Sequence, residues 1–75
     1  MSSESTYTER VLGAVATTHG RALCLDTFQR MLQEIGSELP SDDMVSDMFA
    51  RYGIFDAMDR IAYREAINRM LDRRA

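Results

Sequence analysis

Few residues of this chain could carry chemistry. Its 75 residues contain one histidine, His19, and one cysteine, Cys24. A single cysteine excludes an internal disulfide and a cysteine-cluster metal site. His19 precedes Gly20 at an expected helix end and is predicted to be a solvated loop residue. Cys24 lies within a short apolar run and is predicted to be a small buried hydrophobe. Without a Gly-rich phosphate loop or a paired nucleophile and base, the sequence predicts a protein that is not an enzyme and has no cofactor.

The composition is typical of one small globular domain. Apolar residues make up 45% of the chain and charged residues 28%, and the net charge is −3. This acidity favours a basic partner over nucleic acid. No apolar run is long enough to span a bilayer, and the first ten residues lack the pattern of a signal peptide. We therefore expect a cytoplasmic protein that does not bind membranes.

Apolar stripes at helical spacing predict four amphipathic helices. The first runs from Tyr7 to Thr18 after a capping box, the second follows a cap at Asp26 and ends at Gly36, and the third starts near Asp42. Ser41 is a good N-cap for the third helix, and Gly53 is a C-terminal stop. The stripe of the fourth helix comprises Tyr63, Ala66, Ile67, Met70 and Leu71.

The helices divide the chain into two similar units. Residues 1–5 are predicted to be a disordered tail, and residues 6–75 a single domain with units at 6–36 and 40–73. Each unit is helix-turn-helix, and Leu23 of the first turn matches Ile61 of the second. Neither unit can bury its apolar stripes alone, so we expect the two units to pack together.

The second unit resembles part of an EF-hand. The segment GIFDAMDRIAYRE ends with an aliphatic residue, Ile61, followed four residues later by Glu65, which would open the exit helix. Together with ELPSDDMVSDMF and IAYREAINRML, it is similar to one lobe of calmodulin or of a myosin light chain. The resemblance implies an all-α fold, a four-helix paired EF-hand lobe of two helix-loop-helix units. It also implies a minimal two-stranded β-bridge between the loops, formed by Leu23 and Ile61 and lying beside Cys24.

The loops lack the ligands that calcium requires. An EF-hand loop offers acidic or amide side chains at its first, third and fifth positions and a bidentate Glu at its twelfth. With Leu23 at the eighth position, the first loop has no carboxylate ligand; with Ile61 there, the second retains only Asp56 and Glu65. Two carboxylates cannot offset the desolvation of a divalent ion. The sequence therefore predicts no metal site, with Asp56 and Glu65 as remnant loop acids.

Six methionines are many for so short a chain. They either fill the core or line a deformable groove for a partner helix. Aligned to the resemblance, the groove comprises Val11, Val15, Phe28, Leu32, Ile35, Met48, Tyr52 and Met70. Its acidic rim comprises Glu34, Glu38, Asp42 and Asp47, which would suit a basic amphipathic helix.

A lobe with this groove and without calcium ligands most resembles a single-lobe myosin light chain. The expected function is calcium-independent binding of an IQ-motif helix of a myosin neck by a chain that is monomeric when free. The alternatives are an S100-type homodimer, another EF-hand adaptor for an amphipathic helix, and a weak calcium sensor. A helix-turn-helix nucleic-acid binder is disfavoured because the arginines alternate with acids and form no basic face.

Overall fold

The computed structural model describes the backbone of residues 3–74 and the side chains of residues 6–72. It contains four helices: α1 (Ser3–His19), α2 (Leu25–Ile35), α3 (Asp42–Arg51) and α4 (Ala57–Arg74). No strand or β-bridge occurs within residues 3–74. The all-α, four-helix prediction is confirmed. None of the described helices is both long and apolar enough to cross a membrane.

The third helix begins where the sequence predicts. The Ser41 hydroxyl accepts a hydrogen bond from the Met44 backbone N–H at 3.2 Å, and two acidic residues occupy the first turn. An N-cap of this kind satisfies a backbone donor that the helix itself leaves unpaired. The helix ends at Arg51, before Gly53, whose φ of 74° is a left-handed conformation that favours glycine.

The first two helices differ slightly from their predicted limits. The first begins at Ser3 rather than Tyr7, so only residues 1 and 2 of the predicted tail lie outside the described backbone. The second begins at Leu25, and its N-cap is Cys24, which makes no side-chain capping bond. Asp26 therefore lies in the first turn instead of capping the helix. The predicted end is confirmed, since Gly36 with φ 74° is the C-cap.

The fourth helix starts more than a turn before the predicted position. Asp56 is its N-cap: one carboxylate oxygen accepts hydrogen bonds from the backbone N–H groups of Met58 at 2.9 Å and Asp59 at 3.1 Å. Ile61 is thus inside α4 and 55% exposed. The predicted β-bridge between Leu23 and Ile61 is wrong for this structure, because a helical backbone already hydrogen-bonds within its own helix. Glu65 likewise lies within α4 and does not open it.

The core lies between the four helices, and α1 packs most extensively against α4. The largest fully buried side chains of the core are Val15, Phe28, Met31, Ile67 and Met70. Phe49 and Tyr63 add a tilted aromatic pair with ring centroids 6.3 Å apart. Leu23 is half-buried against this core. The core interpretation of the methionines holds for Met31, Met48 and Met70, which are buried, whereas Met44 and Met58 are exposed.

Candidate functional site

Ion pairs join the first loop, residues 20–24, to the start of α4. The Arg21 Nε donates to an Asp59 carboxylate oxygen at 2.7 Å, and its Nη2 lies 3.1 Å from Asp56. The hydrogen bond to Asp59, with the nearby charge of Asp56, raises the pKa of Arg21. One guanidinium thus binds both the N-cap of α4 and a residue of its first turn, which links the first loop to the start of α4.

His19 makes a second connection between the units. Its Nε2 lies 3.0 Å from the Glu65 carboxylate, and its side chain is only 20% exposed. The prediction of a solvated loop histidine is therefore wrong: His19 is the last residue of α1 and faces α4. Arg69 Nη2 also approaches Glu65, at 3.8 Å.

The cysteine lies at the same junction but exposes its thiol. The Cys24 backbone N–H donates to the Tyr63 hydroxyl at 2.7 Å, which attaches the end of the first loop to α4. The residue is exposed, so the prediction of a buried hydrophobe is wrong. Its position as the N-cap of α2 places the side chain at the helix surface, where a hydrogen bond with Thr27 lowers the pKa of the thiol.

The two remnant loop acids have protein partners. Asp56 caps α4 and binds Arg21, whereas Glu65 binds His19 from the third turn of that helix. Within the described part of the chain, no group of three or more His, Cys, Asp or Glu residues could hold a metal ion. The absence of calcium binding stays a prediction.

Most of the predicted groove forms the core in this conformation. Six of its eight side chains are at most 8% exposed. They are Val11, Val15, Phe28, Leu32, Met48 and Met70. Ile35 and Tyr52 are half-buried at the edge of the core. These side chains share an apolar interior, and a partner could contact most of them only after the helices move apart. That they line a groove for a partner stays a prediction.

A pocket between α2 and α3 leads toward this interior. Its volume is about 250 Å³, including the part open to solvent, and it contains two predicted groove residues, Ile35 and Met48. Pro40, Met44 and Val45 complete the apolar wall, with Glu34 and Arg51 as its charged residues. Met44 is 62% exposed and was missed by the sequence analysis. It is an apolar residue in the first turn of α3, outside the stripe that marked the groove.

Glu34, Asp47, Arg51 and Tyr52 form a polar cluster beside this pocket, which we call the α2–α3 clasp. Arg51 Nη2 binds Glu34, and its Nε lies 3.4 Å from Asp47. The Tyr52 hydroxyl donates to Glu34 at 3.2 Å. The hydrogen bond from Arg51 holds the pKa of Glu34 below its usual range, so this acid is charged at neutral pH. The clasp connects the last turn of α2 to the last turn of α3.

The predicted acidic rim is therefore divided. Glu34 and Asp47 meet at Arg51 in the clasp, whereas Asp42 lies 3.3 Å from Arg64 of α4 and lines a different cleft. Glu38 is exposed in the connection between α2 and α3. The structure does not arrange the four acids around one opening.

The pairings of Arg21 and Arg51 were not predicted, for different reasons. The pairing of Arg51 with Asp47 could have been predicted, because the two residues lie four apart on one helix, a spacing that favours an ion pair. Arg21 and Asp59 are distant in the sequence, and no local pattern indicates their contact. Such a pair depends on how the helices pack, which side-chain periodicity alone does not determine.

No protein-family model, curated protein or solved structure matches the chain. Its function is therefore inferred from the residues and contacts described above.

Proposed function

We propose that this chain is a single-lobe light chain of the myosin type, which binds one IQ-motif helix of a myosin neck in the cytoplasm without calcium. Its helix pairs, α1 with α2 and α3 with α4, would act as the two units of an EF-hand-like lobe. The observation that carries the proposal is the set of side-chain contacts from Arg21 to Asp56 and Asp59 and from His19 to Glu65. These contacts connect the units through protein groups, which supports a lobe that holds together without a metal ion.

The pocket between α2 and α3 supports a helix-binding site. Exposed Met44 and buried Met48 both line it, and methionine side chains adapt readily to partner surfaces. A helix with its side chains is about 10 Å across, too wide for the pocket as it stands. The partner helix must therefore separate α2 from α3 and contact side chains such as Phe28 and Met70, which are buried in the free protein.

The α2–α3 clasp supports a basic partner. Arg51 lies between Glu34 and Asp47, two acids of the predicted rim. A partner arginine could bind these carboxylates in place of Arg51, which would exchange an internal ion pair for an intermolecular one. The two carboxylates would stay paired with a guanidinium, which favours a cationic partner over a neutral one at this site. An IQ motif, with its spaced arginines, has the required chemistry.

A specific observation favours a homodimer as the second candidate function. Phe55, which precedes α4, and Met58 and Ile61 in its first two turns are 70%, 48% and 55% exposed. Large exposed apolar side chains close in sequence are typical of protein-protein interfaces. An S100-type dimer or another adaptor would use this surface rather than the pocket between α2 and α3.

Calorimetric titration of an IQ peptide in excess chelator tests the first proposal. Met44→Gln should weaken binding about tenfold while leaving the fold intact, because this side chain lines the pocket but is mostly exposed. Met58→Gln is the matched control, an exposed methionine outside the pocket, and should bind as the unmodified protein does. Met48→Gln is unsuitable, since Met48 is 3% exposed and its loss would also disturb the core.

Two results would contradict the proposal. One is the absence of any IQ-peptide binding tighter than about 100 μM, a weak affinity for a specific helix. The other is an equal loss of affinity in both methionine variants. Sedimentation of the free protein addresses the alternative: a concentration-dependent dimer that Ile61→Ser abolishes would support the homodimer.

A further inference from the structure

A second cleft lies between α3 and α4. Its volume is about 490 Å³, including the part open to solvent. Val45 and Phe49 of α3 are buried lining residues, and Ile61 of α4 is a half-exposed one. Two arginines of α4, Arg60 and Arg64, also line it. The cleft therefore combines an apolar surface with two guanidinium groups, in a chain whose net charge is −3.

Arg60 contacts neutral groups. Its Nε donates to the Ile54 carbonyl at 2.7 Å, and its Nη1 donates to the Ser46 hydroxyl at 3.2 Å. The guanidinium carbon lies 5.7 Å from the ring centre of Phe49 and 5.9 Å from that of Phe55. In the part of the chain that the structure describes, Arg60 makes no ion pair. Aromatic and neutral contacts hold its side chain, and no carboxylate of residues 6–72 lies within ion-pair distance of its guanidinium.

Arg64 has donor capacity that its neighbours do not use. Its Nη2 lies 3.3 Å from Asp42, whose side chain is 98% exposed, and 3.4 Å from the Pro40 carbonyl. An ion pair with so exposed a carboxylate contributes little to the stability of the fold. Replacing Asp42 by another carboxylate therefore costs little free energy. The Nη1 of Arg64 is shielded from solvent and has no acceptor among the described residues. A carboxylate brought into the cleft could replace Asp42 as the partner of this guanidinium.

We propose that the α3–α4 cleft is a docking surface for an acidic peptide segment of a partner protein. An apolar side chain of the segment packs on Ile61 and enters between the helices, and adjacent carboxylates bind Arg60 and Arg64. Phe55 and Met58 extend the apolar contact beyond the cleft. Charge complementarity favours an acidic segment as the occupant, because the guanidinium groups of Arg60 and Arg64 both line the apolar cleft. The Asp42 side chain, which is 98% exposed, can turn into solvent and leave Arg64 to the segment. This chemistry is opposite to that of the basic helix proposed for the α2–α3 pocket.

The probe is a short capped peptide that alternates Glu with Leu, and its control is the same peptide with Gln in place of Glu. Both are titrated into isotope-labelled protein and followed by amide NMR. The Glu peptide should shift signals of the α3 and α4 residues that line the cleft. The Gln peptide should bind about three- to tenfold more weakly, the range expected for loss of partly exposed ion pairs. High salt should reduce this difference between the peptides.

Ile61→Ser and Arg60→Gln should each weaken binding of the Glu peptide. Ile61→Ser is the safer variant, since Ile61 is already half-exposed and Arg60 also packs on Phe49. Met44→Gln and Arg30→Gln are matched controls, an exposed apolar residue and an exposed arginine outside the cleft. Both should bind the Glu peptide normally.

Three outcomes would overturn the proposal. Equal affinity for the Glu and Gln peptides would remove the role of the arginines. Shifts confined to the residues of the α2–α3 pocket would place the peptide elsewhere. A self-associating protein whose dimer is abolished by Ile61→Ser would assign the cleft to a second copy of the chain. None of these results depends on binding of an IQ peptide, so the two proposals can fail separately.

Discussion

Substitution of Ile61 by alanine should leave the protein nearly as stable as before. A β-bridge residue at this position would be buried, and substitution of a buried isoleucine by alanine lowers the free energy of unfolding by about 2 to 5 kcal/mol. In the structure Ile61 is 55% exposed on α4, so only part of its apolar surface is lost from a buried environment. Alanine also has the higher helix propensity. The free energy of unfolding should therefore fall by less than about 1 kcal/mol.

Ile67 is the matched control, an isoleucine on the same helix with 0% exposure. Ile67→Ala should cost about 2 to 5 kcal/mol, and Ile67→Val, the milder change, about 0.5 to 1.5 kcal/mol. Urea unfolding followed by far-ultraviolet circular dichroism measures the free energy of unfolding of all three variants. The comparison holds if the dependence of this free energy on urea concentration is the same in each variant. A loss above about 2 kcal/mol for Ile61→Ala would refute its exposed position on α4 and restore the buried bridge with Leu23.

Three further predictions concern the loops and the clasp. Amide spectra in chelator and in millimolar calcium should superimpose, because the loop acids have protein partners; widespread shifts that saturate at micromolar calcium would contradict this. Since the pKa of Glu34 is lowered in the fold, its contact with Arg51 stabilises the protein above the usual pKa of a glutamate, and that stability is lost as the pH falls through the lowered value. Glu34→Gln should therefore flatten the acid dependence of urea unfolding, and an unchanged acid dependence would show that the contact contributes nothing. Arg21→Gln and Asp59→Asn should lower the melting temperature less in combination than the sum of their separate effects, because either change removes a charge from the same ion pair; strictly additive effects would count against the pair.

Local signals predicted much of the helical structure. Ser41 caps α3 as expected because a hydroxyl before an acidic first turn satisfies a backbone donor within four residues. Gly36 ends α2 because a left-handed residue is needed there, which glycine adopts without strain. These contacts involve neighbours in sequence, so the sequence is sufficient to predict them.

The start of α4 was misplaced because the resemblance fixed Ile61 in a loop. Asp56 is itself a helix-capping residue, and the segment that follows it can continue as helix without a break. The long-range pair of Arg21 with Asp59 had no local signal. The apolar stripes identified Phe28 and Met70 as inward-facing residues. They could not show whether the facing surface belongs to this chain or to a partner, because burial against either requires the same pattern.

The packing of α1 against α4 has a consequence for synthesis of the protein. These are the first and last of the helices in residues 3–74, and each is the most extensive packing partner of the other. A nascent chain that ends before Ala57 therefore presents α1 without its most extensive packing partner. The domain can complete its core only after α4 has left the ribosome, so folding follows translation of the whole domain. During that interval the exposed face of α1 is open to chaperones and to aggregation.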